Sequence, residues 1–110
     1  MDIVESYQTI VKQVVQKYAR FKPSHGDIRL DVVFDDVRGH YALMQTGWDG
    51  SSRNRRVRGN LIYITLREDE VWIEYDGIEQ GVTDDLIAAG IPAEKIVLAF
   101  LPDRQTAMAV

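Results

Sequence analysis

The chain has 110 residues, a formal net charge of −4 and no cysteine, which excludes disulfides, a thiol nucleophile and cysteine-bound zinc. A composition of 45% hydrophobic and 27% charged residues predicts one globular domain over 1–110. No run of about 18 apolar residues is present, so no membrane span is expected. The acidic start MDIVESYQ lacks a signal-peptide pattern, and a cytoplasmic protein is the simplest expectation. Acidic overall charge disfavours a protein that coats nucleic acid, yet four of the 13 bases fall between Arg53 and Arg58. Elsewhere nine bases face 17 acids, a balance of −8.

Residues 2–20 have the spacing of an amphipathic helix, with Ile3, Val4, Tyr7, Ile10, Val11, Val14, Val15 and Tyr18 on its apolar side. The valines are mediocre helix formers, so this helix should depend on docking. Lys22 to Asp27 reads as a loop. A first strand over Ile28–Phe34 puts Ile28, Leu30, Val32 and Phe34 on one face. Asp35–Gly39 turns it into a second strand, His40–Trp48. Asp49–Arg58 reads as a long loop before a third strand, Gly59–Arg67. Leu61 to Leu66 is apolar on both faces, as expected for a central strand or one covered by a partner.

The rest of the chain is arranged around Val71–Pro92. Val71, Ile73 and Tyr75 alternate with Trp72 and Glu74 as in a half-buried strand. Asp76-Gly77 breaks the strand. A short helix follows Gly81, with Thr83 placed to cap it and Asp84 and Asp85 near its positive end. Gly90 suits a left-handed cap with Ile91 folding back, and Pro92 ends the element. Ile96–Leu101, IVLAFL, fits a fifth strand or a buried helical segment equally by periodicity. The expected fold is two-layer α+β: an N-terminal helix, an antiparallel four-stranded meander, a short helix and that further strand. The tail from Asp103 to Val110 is expected to be ordered only through its contacts.

The loop SSRNRRVRG is the sharpest candidate for a binding surface. Arginine forks match the paired oxygens of phosphates and carboxylates. A nucleic-acid reading assigns Arg53, Arg55, Arg56 and Arg58 to phosphates, which give affinity rather than sequence choice. A solvated loop or an acidic protein contact takes precedence over it. Asp76, Glu79, Asp84 and Asp85 form no calcium-loop motif, and the two helix-start acids are explained by the helix dipole. His25 and His40 have no ligand-spaced partner, and no nucleophile elbow or phosphate-binding glycine loop is present. No catalytic residue, metal or cofactor is expected. Trp48 and Trp72 read as core or interface aromatics.

Gly47-Trp48-Asp49-Gly50, Val71-Trp72-Ile73, Asp76-Gly77-Ile78-Glu79-Gln80-Gly81, Gly90-Ile91-Pro92 and Ile96-Val97-Leu98-Ala99-Phe100 occur in one order. This series resembles the XisI proteins, fdxN element excision controlling factors abundant in cyanobacteria. Tyr18, Lys22-Pro23 and His40-Tyr41 fit the same pattern, so the resemblance covers nearly the whole chain. It departs at Ile78, where the family often has Thr, at Leu101, where it often has His, and in a shorter tail around Arg104. The resemblance implies a small non-enzymatic accessory protein that controls excision of a DNA element by a site-specific recombinase. It further implies a nuclease-like companion, XisH, and self-association as a second mode of contact. It supplies no catalytic residue. Trp72, Asp76 and Glu79 are the expected protein interface, and direct DNA binding through residues 53–58 is the alternative.

Overall fold

The computed structural model describes residues 2–21 and 26–108. Lys22 to His25, most of the first expected loop, and Ala109 and Val110 at the end of the tail lie outside them. Helix α1 (Ile3–Ala19) precedes four strands, β1 (Asp27–Asp35), β2 (His40–Trp48), β3 (Arg56–Arg67) and β4 (Glu70–Asp76). Helix α2 (Thr83–Ala88), a single 3-10 turn (Ala93–Lys95) and β5 (Ile96–Leu98) complete the order. The sheet runs β1-β2-β3-β4-β5, antiparallel through β4, with β5 parallel to β4. The expected α+β fold is therefore present, and β3 is its central strand.

The core lies between the helices and one face of the sheet. Tyr7, Val11, Val14, Val15 and Tyr18 of α1 are buried with Tyr41, Leu43, Ile62, Ile64, Val71 and Ile73. The first turn of α1 does not join them: Ile3 is 52% exposed and Val4 37% exposed. Helical spacing assigned both to the apolar side, but α1 starts beyond the edge of the layer that it covers. Asp2 caps this end, its carboxylate accepting the Glu5 N–H at 2.8 Å.

Three further expectations are corrected. Thr83 does not cap α2; it is the first helical residue, and Val82 occupies the cap without a side-chain bond. The helix starts one residue early, Leu86 N–H bonding the Val82 carbonyl, and Asp76 holds the loop ahead of it by accepting the N–H groups of Ile78 at 3.1 Å and Val82 at 2.9 Å. The long loop ends at Arg55, because β3 pairs with β2 from Arg56 opposite Trp48. Arg56 and Arg58 are thus strand residues. The apolar run after Lys95 makes only three strand residues, since Leu101 N–H turns back to the Leu98 carbonyl. The tail then returns along β5, with Leu98 N–H on Gln105 and Ala107 N–H on Ile96.

The end of α2 is built as its sequence suggests. Gly90 has φ +122°, its N–H bonds the Ile87 carbonyl and the Ile91 N–H bonds that of Leu86. This is a Schellman closure, which places Ile91 in the core.

Two tyrosines hold α1 in place. Tyr41 donates to Asp36 at 2.9 Å, and Lys12 of α1 reaches the same carboxylate at 2.8 Å. Tyr18 donates to Asp85 of α2, which Lys17 also meets at 2.9 Å. Asp85 is therefore a tether between helices, beyond any role in the helix dipole. Burial, then the Asp85 bond, pushes the Tyr18 hydroxyl up to about 12. Tyr41 is raised by the same two causes, with Asp36 in place of Asp85. Asp36 is held below the usual carboxylate range by Lys12 and Tyr41, and Asp85 by Tyr18 and Lys17.

Replacing either tyrosine by Phe should cost about 1.5 kcal/mol in urea denaturation, the low end for a bond to a charged acceptor that keeps its lysine. The depressed aspartates contribute stability above the ordinary carboxylate pKa of about 4, lost as pH falls through their folded values. The raised tyrosines contribute it below about 10, lost as pH rises toward about 12. Urea midpoints at pH 3, 7 and 11 should therefore peak at pH 7, with Asp85→Asn losing less than wild type between pH 7 and 3.

Candidate functional site

The helices cover one sheet face, and strand register determines what stands on the other. Side chains alternate along a strand, and directly paired residues share a face. Val33, Ala42, Tyr63 and Tyr75 form one row across four strands. Asp35, His40, Thr65, Trp72 and Val97 form the next. Val33 is 55% exposed and Tyr75 49% exposed. Alternation from Val71 and Ile73 would have put Tyr75 in the core. A bulge prevents that: Ile64 pairs with Ile73 and Tyr63 with Tyr75, so Glu74 has no opposite residue and the face flips after it.

Polar bonds fix the side chains of this face. The His40 ring stacks on Tyr63 at 5.9 Å between centroids, with Nδ1 2.7 Å from the phenol oxygen. Trp72 carries two guanidinium groups, Arg67 at 4.2 Å and Arg104 at 5.6 Å from its ring centre. Glu74 bonds Thr65 at 2.8 Å and meets Arg67 at 3.5 Å, while Glu70 holds Arg104. Each arginine is thus anchored at the ring by its own glutamate. Trp72 stands on the face opposite the helices, half-buried under the two arginines.

Asp76 does not join it. Its register partner is the core residue Ile62, and both its oxygens are engaged by the α2 loop. Glu79 is exposed in the turn beyond. The three expected interface residues therefore do not form one surface. Val33, Tyr63, Tyr75, Arg67 and Arg104 join Trp72 instead; only the strand register, with its bulge, brings them together.

The arginines lie at the other end of the molecule, whose extents are 47 × 29 × 23 Å. Beyond Leu43 on β2 and before Ile62 on β3 no residue is buried, so the sheet projects as an arm. Arg56 and Arg58 pair with Trp48 and Thr46, while Arg53 and Arg55 sit in the tip loop. Asp49 shapes that loop, accepting the Ser51 N–H at 2.9 Å and the Arg55 N–H at 3.0 Å. These bonds, Ser51 first, hold its carboxyl below the ordinary range. Asp49, Ser51, Ser52, Arg53 and Arg55 line an open depression of about 370 Å³ there. Another, of about 490 Å³, lies along α1 between Thr9 and Arg20. Thr9, Lys12, Gln13, Gln16 and Arg20 line it, with no acid or histidine among them. Among the described residues no group of three or more His, Asp or Glu is placed to hold a metal, and no helix is long and apolar enough to cross a membrane.

Fold and site define a small helix-on-sheet protein with one sheet face covered and the other presenting fixed aromatic and arginine side chains. The XisI protein family matches residues 1–109, and the chain belongs to that family. It is similar to the crystal structure of a XisI-like protein from Anabaena variabilis at 26% identity, covering 89% of this chain and 87% of that one, with a TM-score of 0.79. It is also similar to the fdxN element excision controlling factor XisI of Anabaena variabilis, at 28% identity over 90% and 87% of the two chains and a TM-score of 0.69. No curated protein matches it in sequence.

If Asp76 shapes the loop rather than meeting a partner, Asp76→Ala should destabilise the protein. Two backbone N–H groups would lose their acceptor, at about 1–3 kcal/mol in urea denaturation. An unchanged midpoint would return Asp76 to the interface.

Proposed function

We propose that the chain is a non-enzymatic accessory protein in control of recombinase-mediated DNA excision, acting in the cytoplasm through contact with a XisH-like companion. The excision role is supported by family membership and by the solved relative named as an excision controlling factor. The contact reading rests on one observation, the exposed Val33 and Tyr75 in one row with the half-buried Tyr63, beside the arginine-flanked Trp72. Tyr, Trp and Arg are the residue types that dominate binding energy at protein interfaces. Their side chains are already held by Glu70, Glu74 and His40, so little ordering entropy is lost on binding. The same face could instead seat a second copy of this chain.

Co-expression with the XisH-like genomic neighbour should give a stoichiometric complex on size exclusion. Val33→Asp combined with Tyr75→Asp should abolish it while leaving the thermal midpoint nearly unchanged, because both residues are about half exposed. A complex that survives both substitutions would remove this face from the reading, and a dimer formed without the neighbour would give the face to self-association.

A further inference from the structure

We infer that the projecting arm binds the phosphate backbone of double-stranded DNA through Arg53, Arg55, Arg56 and Arg58, without regard to sequence. Among the described residues seven bases form ion pairs, and none of these four is among them. With Arg29 the arm holds five bases against three acids, Asp27, Asp31 and Asp49, a local excess of +2 in a chain of net charge −4. Of these acids, Asp49 is committed to the loop backbone. Arg56 alone has a polar bond, to the Gly47 carbonyl at 3.3 Å, and it lies over Trp48 at 5.6 Å.

The placement suits a line of charge. Pairing of β3 with β4 begins at Ile62, so in the arm β3 has a free edge. Arg56 and Arg58 project from the same side of that edge, about 7 Å apart as successive same-face strand residues. Arg53 and Arg55 continue the series around the tip. Besides Asp49, the acids of the arm are Asp27 and Asp31, which share the face of Arg56 and Arg58 by register but stand two strands away on β1, where Arg29 pairs with Asp31 at 2.8 Å.

An acidic protein surface would offer carboxylates to the same forks, but the surroundings favour phosphate. Protein hot spots need apolar neighbours that exclude water. Here the neighbours are Ser51, Ser52, Asn54, Thr46 and Asn60, and Trp48, under Arg56, is the one large apolar side chain exposed among them. Phosphate contacts work in a wet, polar setting. The contact needs no companion protein, so it stands or falls apart from the reading above.

The test is fluorescence anisotropy of a labelled DNA duplex of arbitrary sequence titrated with the full chain across a salt series. Four phosphate contacts predict log Kobs falling against log salt with a slope of about −3.5, roughly −0.9 per phosphate. The variant R55A/R56A/R58A should flatten that slope by about 2.7 and weaken binding equally on unrelated sequences. Arg20→Ala, outside the arm, should change neither. Each arginine is exposed, and circular dichroism of the triple variant should match wild type. No binding at low salt, or a slope unchanged in the triple variant, overturns the inference. So does polyglutamate competing with the duplex at equal charge concentration, which would assign the arm to an acidic protein. Retained binding of the XisH-like neighbour by the triple variant would show that the two surfaces act separately.

Discussion

Two fully buried tyrosines whose hydroxyls each end on an aspartate determine how this molecule is put together. Tyr41 belongs to the sheet and Tyr18 to α1, yet each ends on an aspartate that also holds a lysine of α1. One aspartate follows β1 and the other lies in α2, so the helix is tied to the first hairpin and to the crossover that leads into β5. Valine-rich α1 has little intrinsic helix preference, and these contacts with the core supply what propensity does not. The tyrosine bodies contribute apolar burial while their hydroxyls stay bonded, so neither leaves an unsatisfied polar group inside.

Both helices lie on one face, and no helix of the described residues packs on the other. Sheets of this kind usually turn polar side chains to water. This one presents Val33, Tyr63, Tyr75 and Trp72, and uses His40, Glu70 and Glu74 to fix the polar groups around them. Ordered aromatic side chains on an uncovered sheet are more consistent with a surface that is met by a partner than with one that only faces solvent. The arm separates a second chemistry from the first. Glycine makes that separation feasible: Gly47 has φ +146°, and a Cβ there would lie 1.9 Å from the Asp27 carbonyl oxygen of β1.

Most of the fold could be read from the sequence, because period and punctuation agree with each other. His40–Trp48 has the bounds that alternation and the Asp35–Gly39 turn suggest, and Gly90-Ile91-Pro92 closes α2 as its chemistry requires. What could not be read depends on long-range pairing. The strand character of Arg56 and Arg58 comes from β2 lying opposite, since their side chains carry no strand signal. Tyr75 stands outside because Glu74 is bulged, and no periodicity marks a bulge. The cap expected of Thr83 is not made because the helix starts one residue early, at a Val82 whose N–H is held by Asp76. Trp72 was legible as an aromatic of the strand; that Arg67 and Arg104, 37 positions apart in the chain, meet on its ring was not.

The central claim is that the face opposite α1 is the one that meets a partner. Hydroxyl-radical footprinting of the chain alone and in complex with its XisH-like neighbour tests it most directly. The account predicts that Tyr63, Tyr75 and Trp72 lose reactivity in the complex while Phe21, beside the last turn of α1, keeps its own. Protection of Phe21 and the outer side of α1, with Tyr75 and Trp72 as reactive as before, would contradict it.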